Sequence, residues 1–270
     1  MDIYLRRHES AHMTDDLVSV QTIDIPYAHF DNQPLNGRLY LPDQSIPKGF
    51  VVQIHGGGWC SGDRLQDAKF CEYLAKNDIA VFAIDFRMPP NFKYPIAVID
   101  VELALTWFQA NVHTWGGDKN NVGLVGMSSG GHLAGLAALQ KGCAYWIGCW
   151  PVLDPLARFK MALKNDRQDL IQNHNAFWAD ESEMWLGSAQ GILERRDFNF
   201  LPSALLIQGT QDENLEFPMI EKFVNTYKQL GGACKLMSFA GEPHAFIKRN
   251  PDSLNSWAAL KDIVDFIKSR

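Results

Sequence analysis

Residues 121–133 read NVGLVGMSSGGHL, and the rest of the chain can be read outward from them. Val122, Leu124 and Val125 form a short apolar run with β-branched character, which predicts a buried strand. Gly126-Met127-Ser128-Ser129-Gly130 follows and matches G-x-S-x-G, the sharp strand-to-helix turn that lifts a serine hydroxyl above a sheet edge. Such a turn strains the backbone at the serine. A side chain two positions to either side would collide with the neighbouring strand and helix, so both places call for glycine. Leu133, Ala134, Leu136, Ala137 and Leu139 then recur at helical spacing and predict a buried helix. Its N-terminus would aim backbone N–H groups at the serine's surroundings, a setting suited to developing negative charge. A pentapeptide of this kind also arises by chance, so the remainder of the chain has to supply the serine's partners.

The 270 residues suit one large α/β domain better than two small ones, and a hydrophobic content of 46% is ample for a sizeable core. A formal net charge of −6, with no cluster of lysine and arginine, argues against nucleic acid or an anionic membrane as a partner. Cys60, Cys71, Cys143, Cys149 and Cys234 are odd in number, widely spread and without C-x-x-C spacing. They read as small hydrophobes of a reducing compartment. The start of the chain shows no apolar signal-peptide core, and nowhere do about 18 apolar residues run together. The expectation is a cytoplasmic protein, and a homodimer is compatible with it. His8 and His12, four apart in a polar arm, read as solvated rather than as metal ligands. Neither a G-x-G-x-x-G after the first strand nor a Walker loop is present, so no cofactor and no metal are expected.

Taken in order, residues 1–17 read as a polar arm or short helix. Residues 18–41 turn strand-like, with a turn at Asp31-Asn32-Gln33-Pro34, as antiparallel edge strands would. Phe50-Val51-Val52-Gln53-Ile54 is a continuous run, fit for a strand covered on both faces. It leads directly into His55-Gly56-Gly57-Gly58-Trp59. Three glycines at a strand's carboxyl end serve a tight turn, or let bare backbone N–H groups face a ligand oxygen. Residues 67–77 predict a helix, with Phe70, Leu74 and Ala75 on one face, and residues 79–84 the next buried strand. Asp85 and Arg87 read as an ion pair holding the loop under the pocket. Pro95 opens a helix through Phe108 with Ile96, Ile99, Leu103 and Trp107 periodic. Residues 145–152 make a further strand. Residues 154–200 mix polar and aromatic positions without clean period and read as a lid-like helical insertion or as plain connecting helices. Residues 204–208 resume the sheet, 218–230 form an amphipathic helix and 234–239 the last strand. The closing helix, 254–267, has Trp257, Leu260, Ile263 and Val264 as its buried face. Alternating strands and helices imply a parallel sheet with right-handed crossovers.

A serine hydroxyl needs a base to take its proton, and the base needs a third group to set its tautomer. With a serine elbow the chain order is Ser, then Asp or Glu, then His. After the strand ALLIQ come Gly209-Thr210-Gln211-Asp212, which supply Asp212, with Glu213 beside it and Glu216 further off. After the last strand, Gly241-Glu242-Pro243-His244 supplies His244. Asp85 and Asp154 also follow strands but precede the place this order requires. Either Asp212 or His244 alone would pass for an ordinary loop residue; their order gives them weight.

With HGGGW, DFRMPP, WGGDKNNVGLVGMSSGGHLAG, GTQD and the loop histidine all in register, the chain resembles α/β-hydrolase esterases of the hormone-sensitive-lipase-like and acetyl-xylan-esterase-like group, over roughly residues 51–270. The resemblance implies an α/β-hydrolase fold: a mostly parallel central sheet, helices on both faces and a small helical insertion over the active site, in a single domain. It implies Ser128 as nucleophile, Asp212 as acid and His244 as base, with the N–H groups of Gly57, Gly58 and Ser129 as the oxyanion hole. His55 would support the loop. Ser129 stands where the group often has alanine, and Phe86 stands where it has tyrosine. HGGGW is also similar to the loop of arylformamidases. The expected activity is hydrolysis of a small-molecule carboxylic ester with a short acyl chain. Amidase, formamidase or peptidase chemistry by the same residues stays open, as does a ligand-binding protein on a hydrolase scaffold.

Overall fold

A computed structural model describes residues 19–31 and 33–270. The expected N-terminal arm, with His8 and His12, lies outside them. Eight strands form one sheet: Val20–Phe30 (β1), Gln33–Pro42 (β2), Gly49–Ile54 (β3), Ile79–Ile84 (β4), Val122–Met127 (β5), Tyr145–Cys149 (β6), Ser203–Gly209 (β7) and Cys234–Phe239 (β8). Their spatial order is β1-β2-β4-β3-β5-β6-β7-β8. β1 with β2 and β2 with β4 are antiparallel, and every other neighbouring pair is parallel. The helices are Ala68–Lys76 (α1), Ile96–Asn111 (α2), Ser129–Gln140 (α3), Pro155–Lys164 (α4), Gln168–Phe177 (α5), Glu181–Leu186 (α6), Ala189–Arg195 (α7), Phe217–Gln229 (α8), Phe246–Arg249 (α9) and Leu254–Lys268 (α10).

The central strands lie where their composition sends them. β3, β4, β5 and β6 are buried at every position, which is why they read as unbroken apolar runs rather than as alternation. β1 is exposed over most of its length and carries polar residues accordingly. Ile54 is in register with Gly126, and Met127 with Cys149. The chain therefore leaves β3, β5 and β6 on one edge of the sheet, the carboxyl edge where open α/β sheets place their ligands. Helix α2 departs from the expected stripe. Its buried positions are Ala97, Val98, Asp100, Val101, Ala104, Leu105 and Phe108, while Ile99 is 42% and Leu103 38% exposed. The helix is apolar nearly all round, so periodicity alone does not choose its inner face. In α10, Ala259, Leu260, Ile263, Val264 and Ile267 face inward. Trp257 is 44% exposed instead and leans on Tyr73 at 5.7 Å.

The expected Asp85–Arg87 pair is not formed. Asp85 accepts from the Arg64 backbone N–H at 2.8 Å and from Arg64 Nη1 at 2.7 Å, so it does hold the tail of the glycine loop, through a different arginine. Arg87 turns to the fully buried Asp100, at 2.6 Å from Nη2 to Oδ1, and its guanidinium carbon lies 3.5 Å from the centre of the Phe30 ring. A carboxylate with no exposure demands a cation, and that demand sets Arg87's course. Asp100→Asn is accordingly expected to cost about 3 kcal/mol in urea unfolding at pH 7, because it strands the covered guanidinium. Replacing both members together, Arg87→Met with Asp100→Leu, should recover most of that loss.

Candidate active site

The turn between β5 and α3 holds Ser128 at φ 52°, ψ −115°, a conformation that a non-glycine residue keeps only when its surroundings dictate it. A Cβ on Gly126 would lie 2.2 Å from the Gly130 carbonyl oxygen, and one on Gly130 would lie 2.3 Å from those of Ile54 and His55. Backbone cannot yield by that amount, so both glycines are steric necessities. The Ser128 N–H donates to the Cys149 carbonyl at 2.9 Å, and its own carbonyl accepts from Val152 and His132 at 3.1 and 3.2 Å. Three hydrogen bonds clamp the turn.

His244, on the loop between β8 and α9, reaches into this edge. Its Nε2 lies 3.0 Å from Ser128 Oγ and its Nδ1 lies 2.8 Å from Asp212 Oδ2. A carboxylate only accepts, so Nδ1 carries the proton and Nε2 presents its lone pair to the serine hydroxyl. Asp212 sits in the turn after β7 with each oxygen doubly bonded. Oδ2 accepts from His244 and, at 2.8 Å, from Gln208 Nε2; Oδ1 accepts from the N–H groups of Asn214 and Leu215 at 2.8 and 3.0 Å. Glu213 does not compete for the imidazole. It takes the backbone N–H of His244 at 3.0 Å and pairs with Arg249 at 2.7 Å. Asp154 caps α4 through the N–H of Ala157 at 3.0 Å.

The glycine loop after β3 runs alongside. A Cβ on Gly56 would lie 3.3 Å from Ser128 Cβ, which sets the loop against the serine. Gly57 and Gly58 have φ of 116° and 61°, values that favour glycine. Among the described residues, the N–H groups of Gly57, Gly58 and Ser129 donate no turn or loop backbone hydrogen bond. His55 is buried, stacks on Phe86 at 4.4 Å, and donates from Nδ1 to the Gly56 carbonyl at 2.7 Å. Burial holds its pKa below the usual range.

The loop's next residue, Trp59, is fully buried. It stacks on Phe177 at 5.1 Å and donates from Nε1 to His132 Nδ1 at 3.1 Å, while His132 Nε2 donates to the Gly187 carbonyl at 2.7 Å. Burial pushes His132 down to about 4; burial, with the nearby Arg158 and His132, pushes His174 down to about 2. Both rings are neutral in the folded protein and take up protons in the unfolded chain below about pH 6.5. A depressed folded value means stability fully present above that pH and lost as pH falls. The urea midpoint should therefore drop from pH 7 to pH 5, with a loss of about 2 kcal/mol for each of these two rings. His132→Gln should flatten its share of that slope.

Gln208, Trp150, Arg158 and His174 were not anticipated from the sequence. Gln208 carries a faint signal, a polar side chain ending the apolar strand ALLIQ. Trp150, 6.2 Å from the His244 ring, reads like any strand aromatic. Among the described residues, no His, Cys, Asp and Glu side chains gather as metal ligands, and no helix is long and apolar enough to cross a membrane. The described cysteines are free; all but the half-buried Cys60 are buried.

Sheet order, elbow and edge loops together define the α/β-hydrolase fold, the class to which this molecule belongs. The chain belongs, more closely, to the BD-FAE family, whose model matches residues 38–175, just over half of it, within the hormone-sensitive-lipase-like esterases. It is 27% identical over 234 residues to a protein of Oryza sativa subsp. japonica named "Probable isoprenylcysteine alpha-carbonyl methylesterase", a match covering 80% of this chain and 56% of that one. The chain thus spans about half the length of such curated relatives. Among solved structures, it is similar to a propionate-bound thermophilic esterase of Thermogutta terrifontis, with 25% identity, a TM-score of 0.75 and coverage of 91% of this chain and 93% of the other. An esterase of Pyrobaculum calidifontis superposes with a TM-score of 0.79 at 23% identity, covering 93% of this chain and 85% of its own.

Proposed function

We propose that this chain hydrolyses carboxylic esters through a Ser128–His244–Asp212 triad and an acyl-enzyme. The observation that carries the reading is the imidazole of His244, bridging the serine hydroxyl at 3.0 Å and a saturated carboxylate at 2.8 Å. Ser128 Oγ attacks the ester carbonyl as His244 Nε2 takes its proton. The carbonyl oxygen becomes an oxyanion between the N–H groups of Gly57, Gly58 and Ser129. Collapse of that intermediate breaks the bond to the alkoxy oxygen, which leaves as the alcohol with the proton from His244. Water, activated by the same imidazole, then attacks the acyl-serine, and the acid departs as Ser128 regains its proton. Asp212 fixes the imidazole's orientation and faces its positive charge.

A short acyl chain is the favoured substrate. The structural relative from Thermogutta terrifontis, described with propionate and with butyrate bound, supports that preference. Helices α4 to α7 act as the lid-like insertion; α5 lies close enough to the glycine loop that a Cβ on Gly58 would meet the Asn173 side chain at 2.4 Å. A panel of p-nitrophenyl esters of increasing acyl length, run beside the matched acetanilide, tests the reading. Turnover falling with chain length and far greater on acetate than on anilide is expected. Faster cleavage of the anilide would make the protein an amidase with the same machinery.

A further inference from the structure

We propose that Arg158 is a positioning residue for the hydrolytic reaction, a buried strut tying the turn of Asp212 to the glycine loop. The proposal rests on the triad reading above. Arg158 projects from α4 and is 2% exposed. Among the described residues its guanidinium meets no carboxylate in an ion pair. Its Nε donates to the Asn214 carbonyl at 3.3 Å and its Nη1 to His174 Nε2 at 3.1 Å. A guanidinium has no acceptor, so His174 offers its lone pair there and stays neutral. Asn214 belongs to the acid turn, since its N–H holds Asp212 Oδ1. At the other end, the His174 ring stands edge-on to the Trp59 indole at 5.1 Å, and the Arg158 guanidinium carbon lies 5.7 Å from that ring's centre. Trp59 follows Gly58 directly and is bonded to His132 of α3, the helix that begins just after Ser128. The neighbouring Asn173 lies against Gly58 and accepts, through its carbonyl, from Cys60 Sγ at 3.7 Å. One unbroken set of contacts thus runs from the acid turn, through α4 and α5, to the oxyanion loop.

Packing alone would not call for an arginine here. A covered cation that meets no carboxylate directly, and feels Asp212 and Asp169 only at a distance, is unfavourable, and an apolar side chain of similar volume would fill the space at lower cost. What arginine adds is a rigid planar fork that grips a carbonyl and an imidazole lone pair together. Burial brings its pKa down to about 10, which leaves it charged near neutrality. The reaction needs Asp212, His244 and the loop N–H groups in mutual register, and small displacements of such groups are costly in rate.

Arg158→Met and Arg158→Lys test this with p-nitrophenyl acetate, turnover being normalised to active sites titrated with a fluorophosphonate. In Arg158→Met, kcat per titrated site should fall about 10- to 100-fold with KM within about threefold, and Arg158→Lys should recover part of it. If Arg158→Met does not fold, Arg158→Lys decides alone, with a fall of about fivefold expected. Turnover per titrated site within about twofold of wild type in the folded variants, or a raised KM with kcat intact, overturns the proposal. A wild-type protein that neither labels nor turns over overturns the triad reading and the proposal with it. A reactive wild type with unaffected variants overturns the proposal alone.

Discussion

Ser128→Ala is expected to lower kcat on p-nitrophenyl acetate by about 10⁴- to 10⁶-fold and to abolish covalent labelling by fluorophosphonates. The serine's backbone, not its hydroxyl, holds the elbow: its N–H binds Cys149 and its carbonyl binds Val152 and His132. Its Oγ has one side-chain partner, His244. Removing the oxygen therefore deletes the proposed nucleophile while the turn, the glycine loop and the loop of Asp212 keep their places. The variant should melt at or slightly above the wild-type temperature, since one hydroxyl fewer is held at a strained, half-buried site. Differential scanning calorimetry beside the activity assay separates loss of chemistry from loss of fold. Retained turnover in the well-folded variant would remove Ser128 from the mechanism.

Asp212→Asn should cost about 10⁴-fold in kcat near neutral pH, although it changes a single atom. The wild-type carboxylate accepts on both oxygens. An asparagine has one accepting oxygen, and the backbone N–H groups of Asn214 and Leu215 claim it. The new amide N–H₂ then faces His244 Nδ1, which must become an acceptor, so the ring proton moves to Nε2 and points at the serine that should be giving up its own. The same amide also confronts Gln208 Nε2, donor against donor, and a modest fall in stability should accompany the loss of rate. Glu213→Gln provides the contrast. Glu213 holds the His244 backbone rather than its ring, so its variant should stay within a few-fold of wild type. Equal losses at the two positions would mean that the acid has been misassigned.

Much of this molecule can be read from the order of its residues, because the features concerned are local. The run before Gly126, the glycines at 126 and 130 and the small residues of α3 answer to sterics within a few positions of Ser128. The glycines after Ile54 declare themselves in the same way. Asp212 and His244 could be singled out because a parallel sheet delivers the ends of its strands to one edge, so residues just after β7 and β8 must come near those just after β3 and β5.

What lay beyond the sequence is everything settled by contact between distant segments. Asp85 found Arg64 and Arg87 found Asp100 because burial of Asp100 on α2 demanded a cation from whichever loop passed closest. Periodicity picked the wrong face of α2, a helix apolar on nearly every side, and only its packing on the sheet exposed Ile99 and Leu103. Nothing in the sequence singles out Arg158 or His174; only the packing of α4 and α5 sets them between the turn of Asp212 and Trp59. Chain order determined which elements form and which ends converge, since those depend on short-range sterics and strand direction. Three-dimensional packing alone decided which polar groups share a buried space and must therefore answer one another.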